Sequence, residues 1–148
     1  MNILELENKV EEDEIIYPEV SSQTINSKKT EIIDGIDSFS KLEYNWDGYG
    51  AIPSGVESLS NAKKFITALP DEIFHNFYDG YPNTHGTLSF EWKNDNDDEF
   101  FIEIGKKLIS YYLILNGQKA VMKDHDALFN LQKISTIISY IKKLDVSK

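Results

Sequence analysis

The chain contains no cysteine. That excludes disulfide cross-links, thiolate-held metals and a cysteine nucleophile. No stretch approaches the roughly 20 apolar residues of a membrane helix. The opening residues, Met1 to Glu7, carry acids where a secretory leader would carry bases and an apolar run. A soluble, cytoplasmic protein without membrane association is therefore expected. Bases are scarce too: 15 Lys and Arg against 25 Asp and Glu leave a net charge of −10. Phosphate contacts need clustered bases, so direct nucleic-acid binding is disfavoured. No Gly-x-Ser-x-Gly elbow occurs, and Gly48-Tyr49-Gly50 lacks the further glycine and the strand-to-helix setting of a phosphate loop. His75, His85 and His125 stand far apart, in no zinc-ligand spacing. The acidic run Asp95–Glu99 lacks the glycine and glutamate of a calcium loop in register. No cofactor and no metal are expected.

What is present points to one folded domain. The chain has 148 residues, 41% of them hydrophobic, with eight Phe, eight Tyr and two Trp. Large rings bring much apolar area into a small core. The acidity is uneven. Residues 1–20 hold Glu5, Glu7, Glu11, Glu12, Asp13, Glu14 and Glu19 against Lys9, a net charge of −6, which leaves −4 for the rest. The chain reads as an acidic arm, residues 1–26, ahead of a single domain, residues 27–148. In the arm, Ile15, Ile16 and Tyr17 follow the acids as apolar anchors.

Periodicity orders the domain. Ile32, Ile33, Ile36, Phe39 and Leu42 predict a helix over 30–43, with Thr30 as its cap and Gly35 placed for a close approach. Val56, Leu59, Ala62, Phe65, Ile66 and Leu69 predict a helix over 55–69, opened by a Ser54–Glu57 capping box and ended by Pro70. Residues 71–86 read as irregular. Alternation then predicts strands at 88–92, 100–104 and 109–115. Asn116-Gly117 is a hairpin signal, and a short fourth strand over 118–123 would pair back. A helix over 125–144 follows, capped by Asp124, with Leu128, Leu131, Ile134, Ile137, Ile138, Ile141 and Leu144 on one face. The expected fold is α+β: an antiparallel meander of three to four strands, covered on one face by helices, in the order α-α-β-β-β-(β)-α.

The stretch Asn45-Trp46-Asp47-Gly48-Tyr49-Gly50-Ala51-Ile52-Pro53 specifies a tight backbone path holding large rings. It reads either as an ordered joint between two helices or as a recognition loop presenting Trp46, Tyr49 and the Asp47 carboxylate. With the later strand Leu88-Ser89-Phe90-Glu91-Trp92, it resembles a group of small bacterial and prophage proteins. These share an Asn-Trp-Asp-Gly segment, then Gly-Ala-x-Pro, and a later Glu-Trp strand. The resemblance spans about residues 40–115. It implies an accessory protein of a bacterium or mobile element, with Trp46, Asp47, Gly48, Gly50, Pro53, Glu91 and Trp92 as signature positions, and it implies no activity. Either Trp46 packs on Trp92 while Asp47 and Glu91 satisfy turn amides, or both carboxylates share a pocket.

The functional expectation is a non-enzymatic acidic binding module, an antitoxin- or immunity-like inhibitor of a basic bacterial or phage protein. Its partner-binding residues would be Trp46, Asp47 and Tyr49 in the loop and Glu11, Glu12, Asp13, Glu14 and Tyr17 in the arm. Charge complementarity would speed the encounter. The alternatives are a structural or assembly protein of a mobile element, forming homodimers through a sheet edge or the arm, and a small hydrolase using Asp47 and Glu91 as an acid–base pair.

Overall fold

In strands Glu99–Ile104 and Leu108–Leu115, buried and less buried residues alternate, as expected of a sheet with one covered face. A computed structural model describes residues 20–146 of the chain, with side chains over 28–145. The elements are α1 (Val20–Phe39), α2 (Val56–Ala68), a 3₁₀ helix (Asp71–Asn76), β1 (Phe77–Pro82), β2 (Leu88–Lys93), β3 (Glu99–Ile104), β4 (Leu108–Leu115), β5 (Gln118–Ala127) and α3 (Leu131–Val146). The strands form one 5-stranded sheet in sequence order, every pair antiparallel. The fold is α+β, with one strand more than expected. Among the described residues no helix is long and apolar enough to cross a membrane.

The register sorts side chains by face. Phe90 opposes Ile102, Trp92 opposes Phe100, and Phe100 opposes Leu113 on the inner side. These residues join Ile36, Phe65, Ile66, Ile137, Ile141 and Leu144 from the helices in one core. α2 packs on β2 and β3, α3 packs on β3 and β4, and α1 packs on α2 and the 3₁₀ helix. Trp92 sits at the centre. Phe77 meets its ring edge-on at 5.1 Å, Phe65 at 6.3 Å and Phe100 at 6.1 Å. Its indole N–H donates to the Ile73 carbonyl at 3.2 Å, so the polar atom is satisfied as well. Burying each large apolar side chain contributes about 1.5–3 kcal/mol.

Several boundaries differ from expectation. α1 begins at Val20, so Thr30 lies inside it and residues 20–26 belong to the helix. The polar residues before Ile32 carry no apolar stripe from which a helix could be read. Gly35 approaches nothing: a Cβ built there meets open space. No Ser54 capping box forms; Gly55 caps α2 without a side-chain hydrogen bond. The reason is tertiary. The Gly55 N–H donates to the Gly86 carbonyl at 3.1 Å, drawing this segment onto the β1–β2 turn and burying Ser54 Oγ without a hydrogen-bond partner.

Residues 71–86 contain the 3₁₀ helix and β1. Asp79, Gly80 and Pro82 are poor strand formers, and pairing with β2 overrides them. β5 runs on to Ala127, and α3 starts at Leu131, where the Asn130 side chain accepts the Lys133 N–H at 2.8 Å. Asp124 caps nothing. It lies in an irregular part of β5, where its carboxylate accepts the Ser110 hydroxyl at 3.0 Å and neighbouring His125 takes a φ of 55°.

Candidate functional site

The segment Asn45–Pro53 is a self-bonded loop. Asp47 Oδ1 accepts the N–H groups of Tyr49 at 2.8 Å and Ala51 at 3.1 Å. Asn45 Oδ1 accepts the Gly50 N–H at 2.6 Å, and the Asn45 N–H reaches the Ala51 carbonyl at 2.6 Å. Gly48 and Gly50 hold φ of 81° and 88°, backbone that glycine enters without steric cost. Trp46 is half-buried and clamps the loop by donating its indole N–H to the Ile52 carbonyl at 2.8 Å. Ile52 N–H donates to the Thr84 carbonyl at 2.9 Å, which ties the loop to the β1–β2 turn. Of the three loop residues expected to bind a partner, only Tyr49 is fully presented, at 92% exposure. Trp46 and Asp47 are the loop's own scaffolding. The other expected partner residues, Glu11, Glu12, Asp13, Glu14 and Tyr17, lie outside the described residues.

Trp46 does not join the ring cluster around Trp92. Nor are Asp47 and Glu91 joined. Asp47 turns into its loop, while Glu91, on the outer side of β2, accepts the Tyr81 hydroxyl at 2.7 Å.

A second constellation holds His85, Thr87 and Glu103. His85 Nε2 lies 2.7 Å from Glu103 Oε2 and 3.1 Å from Thr87 Oγ1. The Thr87 hydroxyl donates to that same Glu103 oxygen at 2.6 Å. A nucleophilic relay needs the hydroxyl on one imidazole nitrogen and the carboxylate on the other. Here one nitrogen faces both, and the hydroxyl proton points to the carboxylate. The trio ties the β1–β2 turn to β3. His85 and His125 line one cleft of about 460 Å³, while His75 sits elsewhere, 2.8 Å from Asp145. No group of three or more His, Asp or Glu side chains among the described residues could hold a metal ion.

The surface most unlike an ordinary solvated face is the outer side of the sheet. Its side chains are the alternate residues of the same strands. Phe101 opposes Tyr112, and their rings stack at 5.0 Å with planes 17° apart. Glu91 pairs across from Phe101, and the Tyr112 hydroxyl donates to Glu99 at 3.0 Å. Glu103, Tyr81 and Asp79 continue the face. Burial first, then the bond to Glu99 and the charges of Glu99 and Glu91, push the Tyr112 hydroxyl up to about 12. Burial and then Glu91 hold the Tyr81 hydroxyl above the ordinary tyrosine range. Two lysines already use these rings: the Lys119 ammonium stands 5.3 Å from the Tyr112 centroid and Lys93 stands 4.2 Å from that of Tyr78.

In the sequence, Phe101 and Tyr112 fall at the alternate positions of their strands, opposite in phase to Phe100 and Leu113. That was the available signal: two aromatics at opposed outward positions, bracketed by carboxylates. Both sheet edges are blunted. β1 has a register shift between Phe77 and Asp79 and ends on Pro82, and β5 shifts twice against β4. Bulges and proline disfavour addition of a further strand. Comparison with protein-family models, curated proteins and solved structures gives no match for this chain.

Proposed function

We propose that the chain is a non-enzymatic, acidic protein-binding module whose outer sheet face takes a basic segment of a partner protein. The observation that carries this reading is the Phe101–Tyr112 stack set among Glu91, Glu99 and Glu103. A cation over such a ring is attracted by its π-face, and a planar guanidinium can also fork onto a neighbouring carboxylate. The chain's 15 cationic side chains are all lysine, so an arginine here would come from the partner. Asp79, Glu91, Glu99, Glu103 and Asp124 outnumber Lys93 and Lys119 on this side, and still do so when Lys106 and Lys107, which line the cleft holding Glu103 and Asp124, are added. The net charge of −10 adds long-range steering of a basic protein. In its finer form the module is an antitoxin- or immunity-like inhibitor of a basic bacterial or phage protein, acting by covering that protein's cationic surface.

Titration of the full chain with an oligo-arginine peptide, followed by amide NMR, tests the reading. The expected result is shifts centred on Glu91, Glu99, Phe101 and Tyr112. They should be stronger than with oligo-lysine, weaken with added salt and be lost in Phe101→Ser. Shifts spread evenly over every acidic surface, or equal for both peptides, would overturn the assignment of this face.

A further inference from the structure

Between α1 and β1 lies a recess of about 220 Å³. Ile32, Ile36 and Phe39 line it from the helix, and Phe77 and Phe90 line it from the sheet. Two glycines complete the lining, Gly35 on α1 and Gly80 on β1, and they are there for different reasons. Packing requires Gly80, because a Cβ there would stand 2.8 Å from the Phe90 ring. Nothing in the packing requires Gly35. Its φ is not positive, and a Cβ there meets nothing within 4 Å. Glycine loses more backbone freedom on folding than any other residue, so alanine would hold this helix interior better. A residue that costs stability without a packing reason points to function. What glycine supplies at position 35 is empty space, and that space belongs to the recess.

We infer that the recess is a binding site for a small, uncharged aromatic compound of one or two fused rings. Its size, its walls and its rim select that class. An apolar cavity of about 150 Å³ holds a benzene ring, and drug-sized ligands take about 300 Å³ or more. The volume of about 220 Å³ falls between them. On the walls, Phe39, Phe77 and Phe90 supply rings, and aromatic pairs gain beyond the area that they bury. At the rim the charges cancel. Glu31 pairs with Lys28 at 3.6 Å, an Asp79 oxygen accepts the Gly80 N–H at 2.8 Å, and the Lys93 ammonium stands 4.2 Å from the centroid of Tyr78. Glu31 and Asp79 therefore balance Lys28 and Lys93, and the rim draws in neither a cation nor an anion. Lys28 also stands 5.8 Å from the Phe77 centroid, so the chain's own cation already takes the place that this ring would offer to a charged ligand. The inference does not rest on what the outer sheet face binds, since neither Phe101 nor Tyr112 lines the recess.

Titration of the full chain with indole, followed by amide NMR, tests the site. Saturable shifts should centre on Ile32, Gly35, Phe39, Phe77 and Gly80. Cyclohexanol, which lacks the aromatic ring, and the charged rings benzoate and benzylammonium should shift these amides less. Gly35→Leu fills the recess and should abolish the saturable shifts. Gly35→Ala should bind indole severalfold more weakly while melting at a higher temperature, a combination that a glycine kept for stability would not give. Shifts that never saturate, that centre on Phe101 and Tyr112, or that are equal with any of the comparison compounds would overturn the inference. So would indole binding that is unchanged in Gly35→Ala, a variant whose folding the melt itself reports.

Discussion

The two faces of the sheet are made from the same strands and differ only in alternate residues. On the inner face the indole N–H of Trp92 is matched to a backbone carbonyl, and the ring is 0% exposed. On the outer face the hydroxyls of Tyr81 and Tyr112 are matched to carboxylates, and the rings stay half open. An aromatic side chain thus serves stability where its polar atom meets the backbone inside. It can serve recognition where that atom meets a charge at the surface. Strand propensity does not separate the two roles, since both faces are rich in rings.

The comparison breaks most visibly at Trp92. Trp92→Ala should cost about 3–5 kcal/mol in chemical denaturation, enough to unfold many domains of this size. Phe101→Ser, on the opposite face, should stay within about 1 kcal/mol and instead remove peptide binding. A loss of stability at Phe101 as large as at Trp92 would sink the division of labour between faces.

Two glycines sharpen the contrast between packed and open backbone. A Cβ on Gly80 would stand 2.8 Å from the Phe90 ring, so Gly80→Ala should destabilise by about 1–3 kcal/mol. A Cβ on Gly35 meets open space, so Gly35→Ala should stabilise by roughly 0.5–1 kcal/mol. Thermal melts of the two variants should move in opposite directions.

A smaller effect is expected in the loop. Asp47→Ala removes the acceptor for two backbone amides, and hydrogen exchange at Tyr49 and Ala51 should accelerate while global stability falls by about 1 kcal/mol. Tyr49→Ala, at a 92% exposed position, should leave stability within about 0.5 kcal/mol.

A further effect concerns alkaline pH. The Tyr112 hydroxyl is raised in the folded chain from an ordinary 10 to about 12. A raised folded value means that its contribution is complete below pH 10 and is lost as pH climbs through the folded value. Denaturant midpoints should therefore fall between pH 10 and about 12, and Tyr112→Phe should make that fall shallower. Tyr81 and Tyr111, raised mainly by burial, leave part of the slope in place.

Much of this architecture was legible beforehand. The alternations around Phe90, Ile102 and Leu113 located three strands and their inward faces. Asn116-Gly117 placed a hairpin, and the stripe from Leu59 to Leu69 placed α2. β1 was not legible, because Asp79, Gly80 and Pro82 hide a strand that exists only through β2. The expected start of α3 lies too early because Leu128, which packs on the core from a connection, continues the helical stripe. In the loop, Asn45, Asp47 and the glycines announced a fixed backbone path. Which of its rings would be presented could not be read, since Trp46 and Tyr49 are alike as residue types and differ only in what the fold places beside them.

Composition and local pattern by themselves determined a cysteine-free, acidic α+β chain with a rigid loop between two helices, because hydrophobic period, turn chemistry and charge act over a few residues. The tertiary structure alone decided that Asp47 turns inward and Tyr49 outward. It likewise decided that Gly86 replaces Ser54 in holding the entry to α2, and that Phe101 and Tyr112 stack among carboxylates on an uncovered face. Those outcomes depend on strand register and on contacts between residues distant in the chain. A one-residue change of register would send the same rings into the core.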